Sequence, residues 1–331
     1  MPLPASDLFP LRTETLTLDA DTASRLQYPS NQHRVIELHP PPDQQAPTAL
    51  PELFQALRTP RTDWTRVRNR SACLAIELHR PHPDTLHLQA AVPTARHERI
   101  LRLQLADHVP GITFSDGISG LPVDTGTTVA GGLITTTHQD WYPLRIDRPN
   151  PLLNAVVAAL HPHAMQDTRV VIQLLCKPVT GHPVRRWWWH RRSANHCVYL
   201  RKEKERLWGN RSPTNRERQQ ARAITHKSSQ SLWWCSIRLF IAGQGATSHT
   251  QSRLQELATA FRGAADPETG QALTMRPVRP WRASELRRFC QAIADRRFAS
   301  SSARFRITDA ELGALASVPT RQQSNLTLSE P

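Results

Sequence analysis

A chain of 331 residues with a formal net charge of +14 and 39% hydrophobic residues is long enough for about two domains at ~100–200 residues each and apolar enough to bury real cores. No run approaches the ~20 apolar residues of a membrane-spanning helix, and Met1 to Arg25 lacks the apolar centre of a secretory signal, so the expectation is a soluble, cytoplasmic protein. Cys73, Cys176, Cys197, Cys235 and Cys290 form no CxxC pair, and their odd number argues against a disulfide framework; reduced thiols are expected, those outside the arginine-rich insertion described below lying mostly in the core.

Residues 1–30 read as an N-terminal tail. A first unit, residues 31–116, opens with the strand-like Arg34-Val35-Ile36-Glu37-Leu38, then Pro40-Pro41-Pro42, and a helix whose Leu50, Leu53, Phe54 and Leu57 share one face. Leu74-Ile76-Leu78 and Leu86-Leu88-Ala90 alternate as strands around the turn residues Arg80 to Asp84 and predict a hairpin. Leu101, Leu105 and Val109 mark a second helix, which Pro110-Gly111 ends before the strand Ile112-Thr113-Phe114.

The Gly/Thr-rich stretch Gly117 to Thr137 reads as a linker within residues 117–140. A second unit, residues 141–278, repeats the same order. Leu144-Arg145-Ile146 predicts its first strand, and Asp147 or Asn150 a helix cap with Pro151 in the first turn. Leu152, Leu153, Val156, Val157 and Leu160 form the buried face of that helix, and Val170 to Cys176 predicts a strand. The partner strand, Cys235-Ile237-Leu239-Ile241, comes only after an insertion over residues 179–230. A helix with Leu254, Leu257, Ala258 and Phe261, then the strand Leu273-Thr274-Met275, close the repeat. The fold class is therefore α+β: two ferredoxin-like βαββαβ units, the second hairpin split by a basic insertion, with a helical C-terminal segment over residues 279–319 and a tail over 320–331. In such a unit two helices cover one face of the sheet, and the other face is expected to be free for ligands, neighbouring subunits or a homo-oligomer.

The insertion concentrates the charge. Arg185, Arg186, Arg191, Arg192, Arg201, Lys202, Lys204, Arg206, Arg211, Arg216, Arg218, Arg222 and Lys227 face only Glu203, Glu205 and Glu217. Arginine forks grip phosphates and stack on bases, and Trp187, Trp188, Trp189 and Trp208 add stacking faces, so nucleic acid is the first reading of this segment. A solvated hairpin tip is the bland alternative, given that only four of the 42 basic residues are lysine. An acidic protein or an anionic membrane surface, with indoles at headgroup depth, is the third. Trp233 and Trp234 read as ordinary residues at the start of the returning strand.

Catalytic patterns are missing. None of Lys177, Lys202, Lys204 or Lys227 follows a glycine, so GxxxxGK[ST] is absent, as are GxSxG and HExxH. His190, His196 and Cys197 lack a fourth ligand at a recurrent zinc spacing. His161 and His163 read as exposed, and Asp167, Glu77 and Glu37 lie in or beside strands without a paired acid. The expectation is a protein with no catalytic residues, cofactor or metal; an enzyme would need an acid pair or metal site assembled only in three dimensions.

In the C-terminal segment Trp281 is expected under a helix marked by Leu286, Phe289, Cys290 and Ile293. Arg282, Arg287, Arg288, Arg296 and Arg297 read first as its solvated face and second as a docking strip for DNA or a motor subunit. The run Phe305-Arg306-Ile307-Thr308-Asp309-Ala310-Glu311-Leu312-Gly313-Ala314-Leu315-Ala316-Ser317-Val318-Pro319 predicts a strand and a helix capped by Asp309. It resembles the element that precedes the motor in conjugative DNA-transfer ATPases of the HerA/FtsK class. Leu144 to Leu160, Val171 to Pro178 and Arg34 to Pro42 are similar to further hydrophobic stretches of that family.

The resemblance implies the pre-motor region of a type IV secretion or conjugation ATPase, with the ATPase core in another chain or absent, since only Thr320 to Pro331 follow Pro319. The expected function is a non-catalytic accessory module that docks on a HerA/FtsK-class motor, through Arg287, Arg288, Arg296, Arg297, Glu311, Leu312 and Leu315, and contacts DNA nonspecifically through the basic arm. A structural adaptor joining the motor to membrane channel components or an anionic membrane surface is the rival. Either role would keep the protein cytoplasmic, membrane-associated only through a secretion complex.

Overall fold

Leu74–His82, Thr168–Pro178 and Leu232–Gly243 are rich in apolar residues at consecutive positions, Val170 to Ile172 and Leu174 to Cys176 above all, and since an extended chain sends successive side chains to opposite faces, such runs call for burial on both faces. In the computed structural model these runs are strands at the centre of one sheet, of eleven strands among the described residues. The structure describes residues 15–30, 33–41, 50–57, 74–147, 152–160, 167–179, 183–206, 209–244, 247–278, 282–298, 304–318 and 327–328. Trp208, Trp281, Cys73, Asn150, Pro151, His161, His163, Pro319 and nearly all of the expected C-terminal tail lie outside them.

In chain order the elements begin with β1 (Leu16–Thr17), α1 (Ala20–Gln27), β2 (Arg34–His39), α2 (Leu50–Leu57), β3 (Leu74–His82), β4 (Thr85–Val92), α3 (Ala95–His108), β5 (Thr113–Asp116) and β6 (Thr128–Thr136). Next come α4 (Leu152–Ala159), β7 (Thr168–Pro178), α5 (Pro183–Arg201), β8 (Lys204–Arg206), β9 (Gly209–Arg211), α6 (Asn215–Ser229) and β10 (Leu232–Gly243). The last are α7 (Thr247–Thr259) with a 3-10 turn over Ala260–Ala264, β11 (Leu273–Pro277), α8 (Ala283–Ala294), β12 (Phe305–Thr308), α9 (Asp309–Leu315) and β13 (Thr327–Leu328). β3 and β7 meet antiparallel in the middle, from Leu74 opposite Cys176 to Arg80 opposite Val170. Outward from that seam the order is β3-β4-β2-β5 on one side and β7-β10-β6-β11 on the other. Within each half this is second, third, first, fourth strand. β12 extends β10 beyond β6, and β13 adds a parallel pair to β4.

The first strand of the second half is β6, within the stretch expected to be a linker. Leu144 to Ile146, expected to be that strand, is a loop. Gly131 and Gly132 disguised β6, and packing explains them: a Cβ on Gly131 would run into the ring of Phe289 from α8, and one on Gly132 would lie 3.1 Å from Met275 Sδ. Part of the expected N-terminal tail is also ordered. Asp19 caps α1 by accepting from Thr22 N at 2.7 Å, and Ala23 and Leu26 bury against Leu121 and Val123.

One face of the sheet carries the main core, where apolar faces of α2, α3, α4, α7 and α9 pack on Ile36, Leu78, Leu88, Ile172, Ile237 and their neighbours. Leu312 and Leu315 belong to this core and are not available as motor-docking residues. The cap of α9 is Thr308, in a capping box with Glu311; Asp309, the expected cap, accepts instead from Trp233 Nε1 at 2.6 Å. Gly313 lets α9 approach α2, since a Cβ there would stand 2.8 Å from Pro51 N and 2.9 Å from its Cδ. Gly313→Ala is expected to lose about 1–3 kcal/mol to overpacking, reduced by the ~1 kcal/mol alanine gains inside a helix, a net loss of up to ~2 kcal/mol; a thermal midpoint above that of the unaltered protein would refute this.

The other face, expected to be open, is covered along one half by α1 and α8, whose Leu286, Phe289, Cys290 and Ile293 pack on Val129, Val171, Phe240 and Ala242. Across its middle runs a row of polar residues. Glu37, Gln89, Glu77, Gln173 and Arg238 stand opposite one another on β2, β4, β3, β7 and β10. Glu77 accepts from Gln89 Nε2 at 2.8 Å and Gln173 Nε2 at 2.6 Å, and Arg296 forks onto it with Nε and Nη2 both at 2.9 Å. Arg296 therefore lies at the sheet, buried, and not on a docking strip. It occupies the left-handed position (φ 53°) that ends α8: its N–H donates to Ile293 O and that of Arg297 to Ala292 O, a Schellman stop that ordinarily takes glycine.

Candidate nucleic-acid interface

The insertion folds as a helical hairpin. Pro183 opens α5, as suits a residue whose N–H is missing, and Trp189, Ser193, Cys197 and Leu200, spaced four, four and three apart, are its buried face. Thr214 caps α6 in a box with Glu217, donating from N to Oε2 at 2.8 Å and accepting from Glu217 N at 3.2 Å; Arg211 Nη2 donates to the same Oε2 at 3.0 Å. β8 and β9 join the helices as a two-stranded ribbon. Ala221 and Ile224 pack on Cys197 and Leu200, with Trp141 and Tyr142 against them.

Polar anchors fix the hairpin to α9 and to the loops around Asp140, Tyr142 and Thr269. Lys227 Nζ meets Glu311 Oε1 at 2.9 Å, both side chains 2% exposed. Gln220 Nε2 donates to Thr269 O at 3.1 Å, and Tyr142 Oη lies 2.7 Å from His196 Nε2. At the root of α5, Trp189 Nε1 donates to Asp140 Oδ1 at 2.7 Å, while Asp140 Oδ2 accepts from both the backbone N and Nη1 of Arg306 at 3.1 Å. The Arg306 guanidinium sits between two indoles, 4.1 Å from the Trp234 ring centre and 5.2 Å from that of Trp189. Burial lowers its pKa and Asp140 opposes the shift. His190 is also held below the usual histidine range, by burial and then by Arg186 and Arg306.

The hairpin thus sorts the residues expected to bind nucleic acid. Arg186, Trp187, Trp188, Arg191, Arg192, Arg201, Lys202, Arg216, Arg218 and Arg222 are exposed, and the Arg191 guanidinium lies over the Trp187 ring at 4.9 Å. Lys227 and Trp189 are buried anchors, which removes both from any contact with phosphate or base, and Arg211 is engaged by Glu217. For Arg185 and Arg206 only the backbone is described, in α5 and β8. Of the expected docking arginines, Arg287 pairs with Asp19 at 3.0 Å, Arg297 pairs with Asp295, and Arg288 is exposed. Glu311, expected at a docking surface, is buried by its pairing with Lys227.

Beside α5 opens a cleft of about 970 Å³, bounded by the end of β6, the loop over residues 137–142, β11 and the start of β12. Trp141, Trp188, Trp189 and Trp234 supply aromatic walls, and Arg192, Arg276, Arg304 and Arg306 supply positive charge. Asp140, the one acid among the described lining residues, has both oxygens engaged. The sequence reading missed Arg276, Arg304, Arg306, Asp140 and the cleft role of Trp234, because they come from separate segments. The available signal was the alternation of β10, which puts Trp234 on the face opposite Trp233. Among the described residues no three His, Cys, Asp or Glu side chains are placed to hold a metal, and no helix is long and apolar enough to cross a membrane.

A family model described as "Domain of unknown function (DUF8128)" matches residues 9–331. The chain belongs to this family. The matched span encloses both halves of the sheet, the hairpin and the cleft. A search of curated proteins found no match.

Proposed function

We propose that this DUF8128 chain is a non-catalytic module that grips nucleic acid without sequence preference, acting as an accessory to a DNA-transfer motor of the HerA/FtsK class. The βαββαβ order of each half and its shared strand arrangement support reading the frame as two ferredoxin-like units fused edge to edge. The observation that carries the function is the charge on the hairpin: eight cationic side chains, Arg186, Arg191, Arg192, Arg201, Lys202, Arg216, Arg218 and Arg222, are exposed on a scaffold fixed by buried anchors. Of its acids with described side chains, Glu217 is engaged by the cap and Arg211, leaving Glu203 exposed. Such a surface attracts phosphates and releases counterions, giving affinity that carries no base information. The motor association rests on the resemblance in the sequence, with Arg288 and the Asp19-paired Arg287 exposed on α8.

A second reading is favoured by one feature: Val184, Trp187, Trp188, Val198 and Tyr199 are all exposed on α5. Aromatic and apolar groups beside arginines also suit an anionic membrane surface, which is the adaptor role.

Fluorescence anisotropy with labelled DNA across a salt series separates the two. With roughly six phosphate contacts, the slope of log K against log salt is expected near −5 for duplex and −4 for single strands. Arg191, Arg192, Arg218 and Arg222 exchanged together for alanine should flatten the duplex slope by about 0.9 per lost contact. Absence of DNA binding, together with hairpin-dependent capture by anionic vesicles, would replace this reading with the adaptor.

A further inference from the structure

We propose that the cleft at the root of the hairpin receives one unpaired nucleotide unit, base against Trp188 and phosphate among Arg192, Arg276 and Arg304, and that it makes the module prefer single strands to duplex. The inference rests on the nucleic-acid reading of the hairpin and names the form of nucleic acid that it takes.

The cleft's volume of about 970 Å³ lies at the upper end of the ~300–1,000 Å³ that encloses a small organic ligand, and its lining alternates rings and guanidinium groups. Two of the rings are already committed. Trp189 and Trp234 hold Arg306 between them, and Asp140 locks that stack, so these four are the floor of the site and not its grip. Trp188 is different. It meets Trp187 edge-on, with ring centres 6.1 Å apart and planes at 89°, and is 54% exposed. Its neighbours Arg192 and Arg276 are exposed as well. Trp141, on the opposite loop, has a buried Nε1 donor with no acceptor among the protein atoms.

An indole face stacks on a base face, and in a duplex both faces of every base are covered by its neighbours. A site built on ring stacking therefore rewards an unpaired base, while the surrounding arginines reward the phosphate on either form. A free nucleotide and one unit of a single strand share this chemistry, and competition between oligothymidine and thymidine monophosphate tells them apart.

The test uses the full chain with labelled oligothymidine and a labelled duplex at one salt concentration. Oligothymidine is expected to bind more tightly. Trp188→Ala should weaken it about tenfold with duplex affinity unchanged, and Trp188→Phe should restore most of the loss; the pair Arg218→Ala and Arg222→Ala should weaken both nucleic acids. A Trp188→Ala loss that is equal on the two, or no loss at all, overturns the cleft proposal while leaving the hairpin reading in place. Failure of the full chain to bind either one removes both. Displacement of oligothymidine by thymidine monophosphate at comparable nucleotide concentration assigns the cleft to free nucleotides and overturns the single-strand preference.

Discussion

Arg296→Met is expected to cost about 3–5 kcal/mol of stability, because it strands the Glu77 carboxylate at the buried centre of the sheet. Glu77 is 1% exposed, and three side chains besides Arg296 address it: Gln89, Gln173 and, at 3.1 Å, His79 Nε2. Those neutral donors satisfy lone pairs but do not cancel the charge. Arg296 does, and it also donates to Ser119 O at 2.8 Å, so the same substitution loosens residues 118–119 from the sheet. Exchanging both partners, Glu77→Gln with Arg296→Met, should cost less than the two single changes added together, the signature of a directly coupled pair. Urea unfolding of the four proteins measures the cycle, and a loss below about 1 kcal/mol for Arg296→Met would show that the pair does not hold the sheet centre.

The same cluster sets a pH dependence. Burial alone would raise the Glu77 pKa, but Arg296 and His79 outweigh it and hold the carboxyl well below the usual range. A depressed carboxylate contributes stability that is complete above its unfolded pKa of ~4.3 and lost as pH falls through the lower folded value. His79 is pushed down by burial, against the pull of Glu77. Its unfolded form therefore takes up a proton first, and stability begins to fall as pH drops through ~6.5. Urea midpoints should decline from pH 7 to pH 5, and His79→Gln should make that decline shallower. An unchanged slope in the variant would exclude His79 as its source.

Glu311→Leu carries the second large effect, again about 3–5 kcal/mol, with a mechanical consequence for the hairpin. One carboxylate does three tasks: it accepts from Leu144 N at 2.6 Å, from Thr308 N at 2.7 Å as half of the α9 capping box, and from Lys227 Nζ. Without it Lys227 keeps the Tyr142 carbonyl at 3.2 Å and no counter-charge. Lys227→Met should be milder, since Glu311 would retain its two backbone donors. Limited proteolysis should then cut between α5 and α6 faster in Glu311→Leu than in Lys227→Met, as α6 loses its tie to α9 and α9 loses its capping box. Equal cleavage of both variants and the unaltered protein would mean that the remaining contacts anchor the hairpin unaided.

These two ion pairs mark the limit of what a linear reading reaches. Periodicity located α2, α3, α4, α7 and α8, the β3–β4 hairpin and the long strands β7 and β10, because each of these buries one continuous face and writes it at a fixed spacing. The insertion was legible too, since its charge and tryptophans break both periods, and so was the exposure of most of its arginines. The tertiary structure decided the rest. β6 was hidden because its glycines answer to Phe289 and Met275, which lie far along the chain. Lys227, Glu311 and Arg296 looked solvated because a lone charge is ordinarily exposed; their partners stand 84 residues away for Lys227 and 219 for Arg296. The second face of the sheet is covered along one half by α1 and α8 instead of left open, and the cleft draws its walls from the loop before Tyr142, α5, β10, β11 and β12. Spacing along a chain encodes what one element buries, while pairing between distant elements is settled only when desolvated charges and close-packed rings find their complements.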